Sequence, residues 1–110
     1  MGPFATAQVV VLPFPFSDPG GQKFRPALLI ADAGRGDWIA CQITSNPFAD
    51  PFAIEIGDAD FASGSLRRAS YVRPAKLFTA NETILSGCAG TLRKESLDRI
   101  RDSIIEILRR

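Results

Sequence analysis

Histidine is absent from this chain of 110 residues. Without an imidazole, the protein has neither the common nitrogen ligand of zinc nor the base of a Ser/His/Asp triad or a Cys/His dyad. Its two cysteines, Cys41 and Cys88, lack the CxxC spacing of redox and metal motifs and lie among apolar residues. We therefore expect two buried free thiols, no metal site and no cofactor.

Long apolar runs are also missing. The longest uncharged apolar run near the start, residues 7–16, contains two prolines and is far shorter than the roughly 20 residues that cross a bilayer. Residues 1–8 carry no Lys or Arg, which argues against a secretory leader. These absences predict a cytoplasmic protein with no membrane partner.

Neither sign of charge is in clear excess. The 13 Lys and Arg residues balance 12 Asp and Glu residues, which leaves a formal net charge of +1. Such a balance provides no general attraction for nucleic acid, so a site for a polyanion must be local. Arg67, Arg68, Arg73 and Lys76 form one such cluster. It indicates either a phosphate-binding surface or a solvated face on an edge strand, where basic side chains discourage pairing.

The composition predicts a single folded domain over residues 1–110, with 45% hydrophobic and 23% charged residues. Runs of β-branched and apolar residues between turn residues predict five or six strands without a βαβ repeat. Apolar residues three or four apart predict an amphipathic helix over 94–108. The expected strands are 7–14, 25–31, 38–45, 52–56 and 71–79, with a short one near 83–86 and loops or turns at 57–64 and 87–90. This pattern favours a mainly β fold, a small and strongly bent antiparallel barrel with a C-terminal helix.

Two local features indicate where a site could lie. Residues 15–24 are long for a hairpin loop, and such a loop is either a binding loop or a plain mobile connection. In the third strand, alternation assigns Ile39, Cys41 and Ile43 to the core face, so that Gln42 and Thr44 point outward.

Four segments, in this order, resemble the PemK/MazF family of toxins from type II toxin-antitoxin modules. They are VVVLPFPFSD at 9–18, KFRPALLI at 23–30, CQITS at 41–45 and SYVRPAKLFT at 70–79. The resemblance implies an SH3-like barrel of the CcdB/MazF plasmid maintenance toxin type. It also implies a homodimeric, metal-independent and sequence-specific endoribonuclease that cleaves single-stranded RNA. A cognate antitoxin would hold it inactive and would be its only link to DNA.

The same resemblance assigns roles to individual residues. The Arg of the family's RP motif falls on Arg25 and the Thr of its IT motif on Thr44, and these two would be catalytic. A guanidinium can donate to the negatively charged phosphorane, and a hydroxyl can bind a phosphate oxygen or the 2′-hydroxyl. The residues expected to bind RNA are Phe16, Ser17, Gln42, Ser45, Asn46, Arg67, Arg68, Arg73 and Lys76.

The chain departs from the family pattern at several positions. Some members carry an Asp, proposed as a base, where this chain has Ala75, and others carry a histidine in the first loop. An Arg that is usual further on is Phe78 here, and a frequent Gly-Asp before the first strand is replaced by Ala7-Gln8, a structural change. The sequence therefore identifies no general base.

Two other functions stay open. The first is a non-catalytic or decayed SH3-like interaction module, which the missing base favours. The second is a gyrase-poisoning toxin of the same fold, whose activity depends on the end of the terminal helix. This chain ends in Arg109-Arg110, where that family has a bulkier apolar terminus.

Overall fold

A computed structural model describes residues 3–14, 23–47 and 49–110. Within these ranges the chain forms seven strands and one α-helix. The strands are β1 (Gln8–Phe14), β2 (Lys23–Gly34), β3 (Asp37–Thr44), β4 (Ile54–Ile56), β5 (Phe61–Gly64), β6 (Ser70–Asn81) and β7 (Gly87–Leu92), and the helix is α1 (Lys94–Leu108). Short 3-10 turns cover Asp58–Asp60 and Glu82–Ile84.

All seven strands belong to one curled antiparallel sheet in the order β4-β6-β3-β2-β1-β7-β5. The central strands β1, β2 and β3 are sequential, so hairpin connections suffice to build the middle of the sheet. The predicted mainly β fold with a C-terminal helix is confirmed, with seven strands in place of five or six.

Each face of the sheet carries its own apolar cluster. Alternation along β1 sends Val9 to one face and Val10 to the other. The first face packs against α1 through Leu97, Ile100 and Ile104, all buried. Burial of each such side chain stabilises the fold by about 1.5 to 3 kcal/mol. The opposite cluster contains Val10, Leu12, Ala27, Leu29, Trp38, Ala40 and Ala80, with Phe4, Phe78 and Leu85 packed against it.

The helix has the predicted bounds. Arg93 precedes it with extended backbone and makes no capping hydrogen bond through its side chain, in line with the weak preference of Arg for this position. Its backbone N–H donates to Asp60 O at 2.8 Å, and its Nε donates to Ala59 O at 3.0 Å. The start of the helix is thereby tied to the 3-10 turn that precedes β5.

Several sequence predictions need correction. Residues 83–86, expected as a strand, are the end of the 3-10 turn and two residues outside any element, whereas 87–90, expected as a turn, begin β7. Residues 61–64, expected within a loop, form β5, and β4 is shorter than the predicted 52–56. Lys23 and Phe24 lie in β2 instead of the first loop.

The two thiols also differ, contrary to the prediction that both are buried. Cys41 is buried in the helix-side cluster, and burial raises the pKa of its thiol to about 12. Cys88 is exposed, because it lies near the start of β7 at the rim of the sheet, where its Sγ donates to Gly90 O at 3.2 Å. None of the helices in the described residues has the length and apolar character needed to cross a membrane.

Candidate nucleic-acid interface

A groove opens where β2 and β3 separate. The ladder between these strands ends at the Ala27–Gln42 pair, so the residues before Ala27 and after Gln42 diverge. Pro26 has no backbone N–H and cannot extend that ladder. The groove encloses about 500 Å³ and is lined by Lys23, Phe24, Arg25, Pro26, Ile43, Thr44, Ser45, Leu66, Arg67, Arg68 and Ser70. The two residues predicted to be catalytic, Arg25 and Thr44, thus line the same groove.

Arg25 is half-buried on β2 and pairs with Leu12 of β1. Alternation along β2 places it on the same face as Ala27 and Leu29, which belong to the opposite cluster. That cluster ends before Arg25, so this face changes from a core to a polar surface within one strand. The guanidinium is therefore held on a rigid, central strand at the edge of the core.

The hydroxyl of Thr44 is oriented by the turn that follows β3. Its Oγ1 lies 3.1 Å from Asn46 O, to which it donates, and 3.1 Å from Asn46 N, from which it accepts. One lone pair of the oxygen remains available to accept another hydrogen bond. In this geometry the Thr44 oxygen can accept a hydrogen bond from a ligand and keep both of its hydrogen bonds with Asn46.

The sheet register aligns two further polar side chains with Thr44. Tyr71 of β6 pairs directly with Thr44, and Glu55 of β4 pairs directly with Tyr71. Directly opposed residues project from the same face of a sheet. Sequence reasoning missed both side chains, although the alternation of Ile54 and Ile56 around Glu55 already indicated which face Glu55 occupies.

Arg67 and Arg68 reach the groove from the connection between β5 and β6. Both are exposed, and within the described residues neither side chain makes a hydrogen bond or ion pair. Lys23, also missed by sequence reasoning, adds another cation at the start of β2. Together with Arg25, four cationic side chains line a groove in a protein whose net charge is only +1.

Arg73 is engaged differently. Its Nε donates to Asp50 Oδ2 at 2.7 Å, and the Asp50 side chain is only 6% exposed. Burial opposes ionisation of Asp50, but hydrogen bonds from Arg73 and from the Phe52 N–H, with the charges of Arg73 and Lys76, outweigh it and lower the pKa of Asp50. Lys76 is exposed, and its charge also acts on this carboxylate.

The other residues predicted to bind RNA are distributed as follows. Ser45 lines the groove, and Asn46, which follows it, is exposed. Gln42 is half-buried and pairs with Ala27 and Arg73 at the point where the groove begins. Phe16 and Ser17 lie outside the described residues. No group of three potential metal-ligating side chains occurs in the described part of the chain.

Comparisons with known proteins agree with the fold. The sequence profile described as "PemK-like, MazF-like toxin of type II toxin-antitoxin system" matches residues 6–108. An endoribonuclease in complex with its cognate antitoxin, from a Mycobacterial species, is similar with a TM-score of 0.69 and 19% identity over 96% of this chain and 94% of that chain. A chain of the MazE-MazF structure (Form-III) from Deinococcus radiodurans gives a TM-score of 0.72 and 19% identity over 96% and 95%.

A further structure, an endoribonuclease from a Mycobacterial species, has a TM-score of 0.70 and 19% identity over 98% of this chain and 93% of that chain. At these identities the structural similarity establishes the fold. Among curated proteins, no sequence matches the chain significantly. The family profile spans nearly the whole chain. The chain therefore belongs to the PemK-like, MazF-like toxins of type II toxin-antitoxin systems.

Proposed function

We propose that this chain is a cytoplasmic toxin that cleaves single-stranded messenger RNA as a metal-independent, sequence-specific endoribonuclease, and thereby inhibits translation and growth. The observation that carries the proposal is the groove itself. Arg25 and Thr44 line it together with Lys23, Arg67 and Arg68, so a cation suited to a phosphorane and a hydroxyl suited to a 2′-hydroxyl lie beside further phosphate-binding side chains.

The proposed reaction needs no external nucleophile. The 2′-hydroxyl gives up its proton to a base as its oxygen attacks the adjacent phosphorus, the bond from phosphorus to the 5′-oxygen breaks, and the leaving 5′-oxygen takes up a proton from water. The products are a 2′,3′-cyclic phosphate and a 5′-hydroxyl end. Negative charge builds on the non-bridging oxygens in the transition state, and the guanidinium of Arg25 donates hydrogen bonds to them.

Thr44 acts as a positioning group in this scheme. Its hydroxyl proton is directed at Asn46 O, so its free lone pair accepts the hydrogen bond of the 2′-hydroxyl before attack. Holding the nucleophile near the phosphorus lowers the entropic part of the barrier.

Glu55 is our candidate for the acceptor of the 2′-hydroxyl proton. It lies two strands from Thr44 on the same sheet face, a separation of about 10 Å between backbones, and its side chain is exposed. It would replace the Asp that some relatives carry where this chain has Ala75. Glu55→Gln should slow cleavage at least 10-fold, because the amide cannot accept the 2′-hydroxyl proton. An unchanged cleavage rate would exclude Glu55 as the base.

Two protein partners belong to this proposal. A second copy of the chain would extend the groove into a composite RNA surface and bury more of a small domain. The cognate antitoxin would lay an acidic and apolar segment along the same groove, where Phe24 is 60% exposed beside Lys23 and Arg25. Light scattering that gave a concentration-independent mass near 11.9 kDa would contradict the dimer. Full cleavage with saturating antitoxin would contradict occlusion of the groove.

The direct test is incubation of the purified chain with single-stranded RNA in EDTA. We expect fragments that polynucleotide kinase labels without prior phosphatase treatment, because their 5′ ends are hydroxyls. Cleavage that requires a divalent cation would contradict the mechanism. Intact RNA under all conditions would favour a non-catalytic module, and gyrase inhibition without RNA cleavage would favour the gyrase-poisoning alternative.

A further inference from the structure

The groove continues past Arg67 and Arg68 into a second trough. This trough encloses about 410 Å³, within the range of small ligand clefts. Leu66, Arg67 and Arg68 line both spaces, whereas Ile56, Asp58 and Phe61 line only the second. A strand of RNA that leaves Arg25 and Thr44 along the two arginines therefore reaches Asp58.

The carboxylate of Asp58 is chemically unusual at this place. It is exposed, and within residues 3–14, 23–47 and 49–110 it makes no hydrogen bond or ion pair, although Arg67 and Arg68 line the same trough. An ionised carboxylate repels phosphates and can only accept hydrogen bonds. On a path for a polyanion it therefore favours a donor-rich group, and in RNA such groups lie on the edges of the bases.

The turn that carries Asp58 is firmly anchored. Asp60 Oδ2 accepts from the Gly57 N–H at 2.9 Å, and its Oδ1 accepts from Ser96 Oγ of α1 at 2.8 Å. Burial of Asp60 opposes ionisation, but these hydrogen bonds and the charge of Arg99 lower its pKa below the ordinary value. Asp58 thus stands on a turn fixed to the helix, as a specificity residue requires.

We propose that the trough is a nucleobase pocket in which Asp58 selects guanine. Guanine presents N1–H and N2–H side by side on its Watson–Crick edge, and the two oxygens of one carboxylate can accept both. Cytosine and adenine place a lone pair beside their amino group, and uracil offers a single N–H between two carbonyls, so each would repel one carboxylate oxygen. Arg67 and Arg68 bind the adjoining phosphates. This inference rests on the proposed function for its ligand, single-stranded RNA.

The test separates binding from cleavage by means of RNA that cannot be cut. A randomised seven-nucleotide pool of 2′-fluoro RNA lacks the nucleophile, and the bound fraction is sequenced for wild type, Asp58→Asn and Asp102→Asn. Asp102 is an exposed carboxylate on α1 outside both spaces, so its variant matches the charge change. We expect wild type and Asp102→Asn to enrich guanine at one position and Asp58→Asn to lose that enrichment.

Inosine sharpens the result because it keeps N1–H but lacks the N2 amino group. At the enriched position, inosine should weaken binding to wild type roughly 10-fold and should have little effect on Asp58→Asn. Guanine enrichment retained in Asp58→Asn, or absent from wild type, would overturn the proposal. If wild type selects guanine but fails to cut unmodified RNA, the proposed endoribonuclease activity is wrong and the proposed guanine pocket is supported.

Discussion

Arg67 and Arg68 differ from Arg73 and Lys76 in what their charges face, although all four form one basic cluster in the sequence. The first two line the groove beside Arg25 and have no partner in the described part of the chain. Arg73 is bound to the buried carboxylate of Asp50, and the charge of Lys76 also acts on Asp50. The first pair has its charge available to a ligand, whereas the guanidinium of Arg73 already has a carboxylate partner.

The difference follows from position in the fold. Arg67 and Arg68 lie in the connection between β5 and β6, and both are exposed and line the groove. Arg73 lies within β6 beside Gln42 of β3, and the segment before β4 brings Asp50 against it. A buried carboxylate without a cation would be costly, so Arg73 has a structural task. Sequence spacing alone shows a charge but not its partner.

The largest effect should be on the cleavage rate, and it should come from substitutions of the residues that line the groove. Arg25→Ala removes the proposed donor to the phosphorane, and loss of one such donor typically costs about 2.7 to 4 kcal/mol, so cleavage should slow at least 100-fold. Thr44→Ala should slow it 10-fold to 100-fold, since it removes only a positioning contact. Initial rates on a defined RNA measure both. Arg35→Ala, in the exposed turn between β2 and β3, is the control. A wild-type cleavage rate for Arg25→Ala would refute the assignment of Arg25 to the catalytic site.

The second prediction breaks the ion pair on the other side of the comparison. Arg73→Ala leaves the Asp50 carboxylate, 6% exposed, without its main partner, and the free energy of unfolding should fall by about 2 to 3 kcal/mol. Arg99→Ala is the matched control, because its ion pair with Asp60 is longer, at 3.4 Å, and Arg99 is 54% exposed. It should cost less than about 1 kcal/mol. Chemical denaturation measures both. If Arg73→Ala weakens RNA binding but leaves stability unchanged, Arg73 binds RNA and does not have the structural role assigned to it.

The third prediction concerns binding. Arg67→Ala with Arg68→Ala should reduce the slope of log affinity against log salt by about 1.4, since each contact with a single-stranded phosphate contributes about 0.7. Lys76→Ala with Arg35→Ala removes the same charge outside the groove and should leave the slope nearly unchanged. Titration with uncleavable RNA at several salt concentrations distinguishes them. Equal slopes for the two double variants would mean that net charge, rather than the groove, attracts RNA.

The sequence was sufficient to locate secondary-structure elements where one hydrophobic periodicity dominates. The spacing of Leu97, Ile100 and Ile104 located the helix, and β-branched runs located the central strands. It failed at β7 because Gly87 and Gly90 read as turn residues. A Cβ on Gly90 would lie 2.6 Å from Ser63 O and 2.9 Å from the Phe61 ring, so this glycine permits β5 and β7 to approach closely. That requirement is tertiary and leaves no local signal.

The site divides in the same way. Arg25 and Thr44 could be proposed from the sequence because they lie in motifs, whereas Lys23, Glu55 and Asp58 could be proposed only from the structure, because the register and the curled sheet relate them to the groove. The backbone explains why relatives often have glycine at the position of Ala7, since Ala7 adopts a φ of 74°, in the region that favours glycine, and the alanine is strained there.

The smallest expected effect is the pH dependence of stability that arises from Asp50, the partner of Arg73. The pKa of Asp50 is lowered in the folded protein, so its contribution to stability is present above the unfolded pKa, about 3.9, and is lost as pH falls through the folded value. The free energy of unfolding should therefore decline as pH is lowered from about 5 toward 3. Asp50→Asn cannot titrate and should show a shallower decline, whereas Asp102→Asn should follow wild type. The effect should be smaller than that of Arg73→Ala, because protonation neutralises the carboxylate that the substitution leaves charged and buried. Because Asp50→Asn also changes stability at neutral pH, the slopes of the free energy of unfolding against pH are compared. Parallel slopes for wild type and Asp50→Asn would show that the ionisation of Asp50 does not contribute to stability.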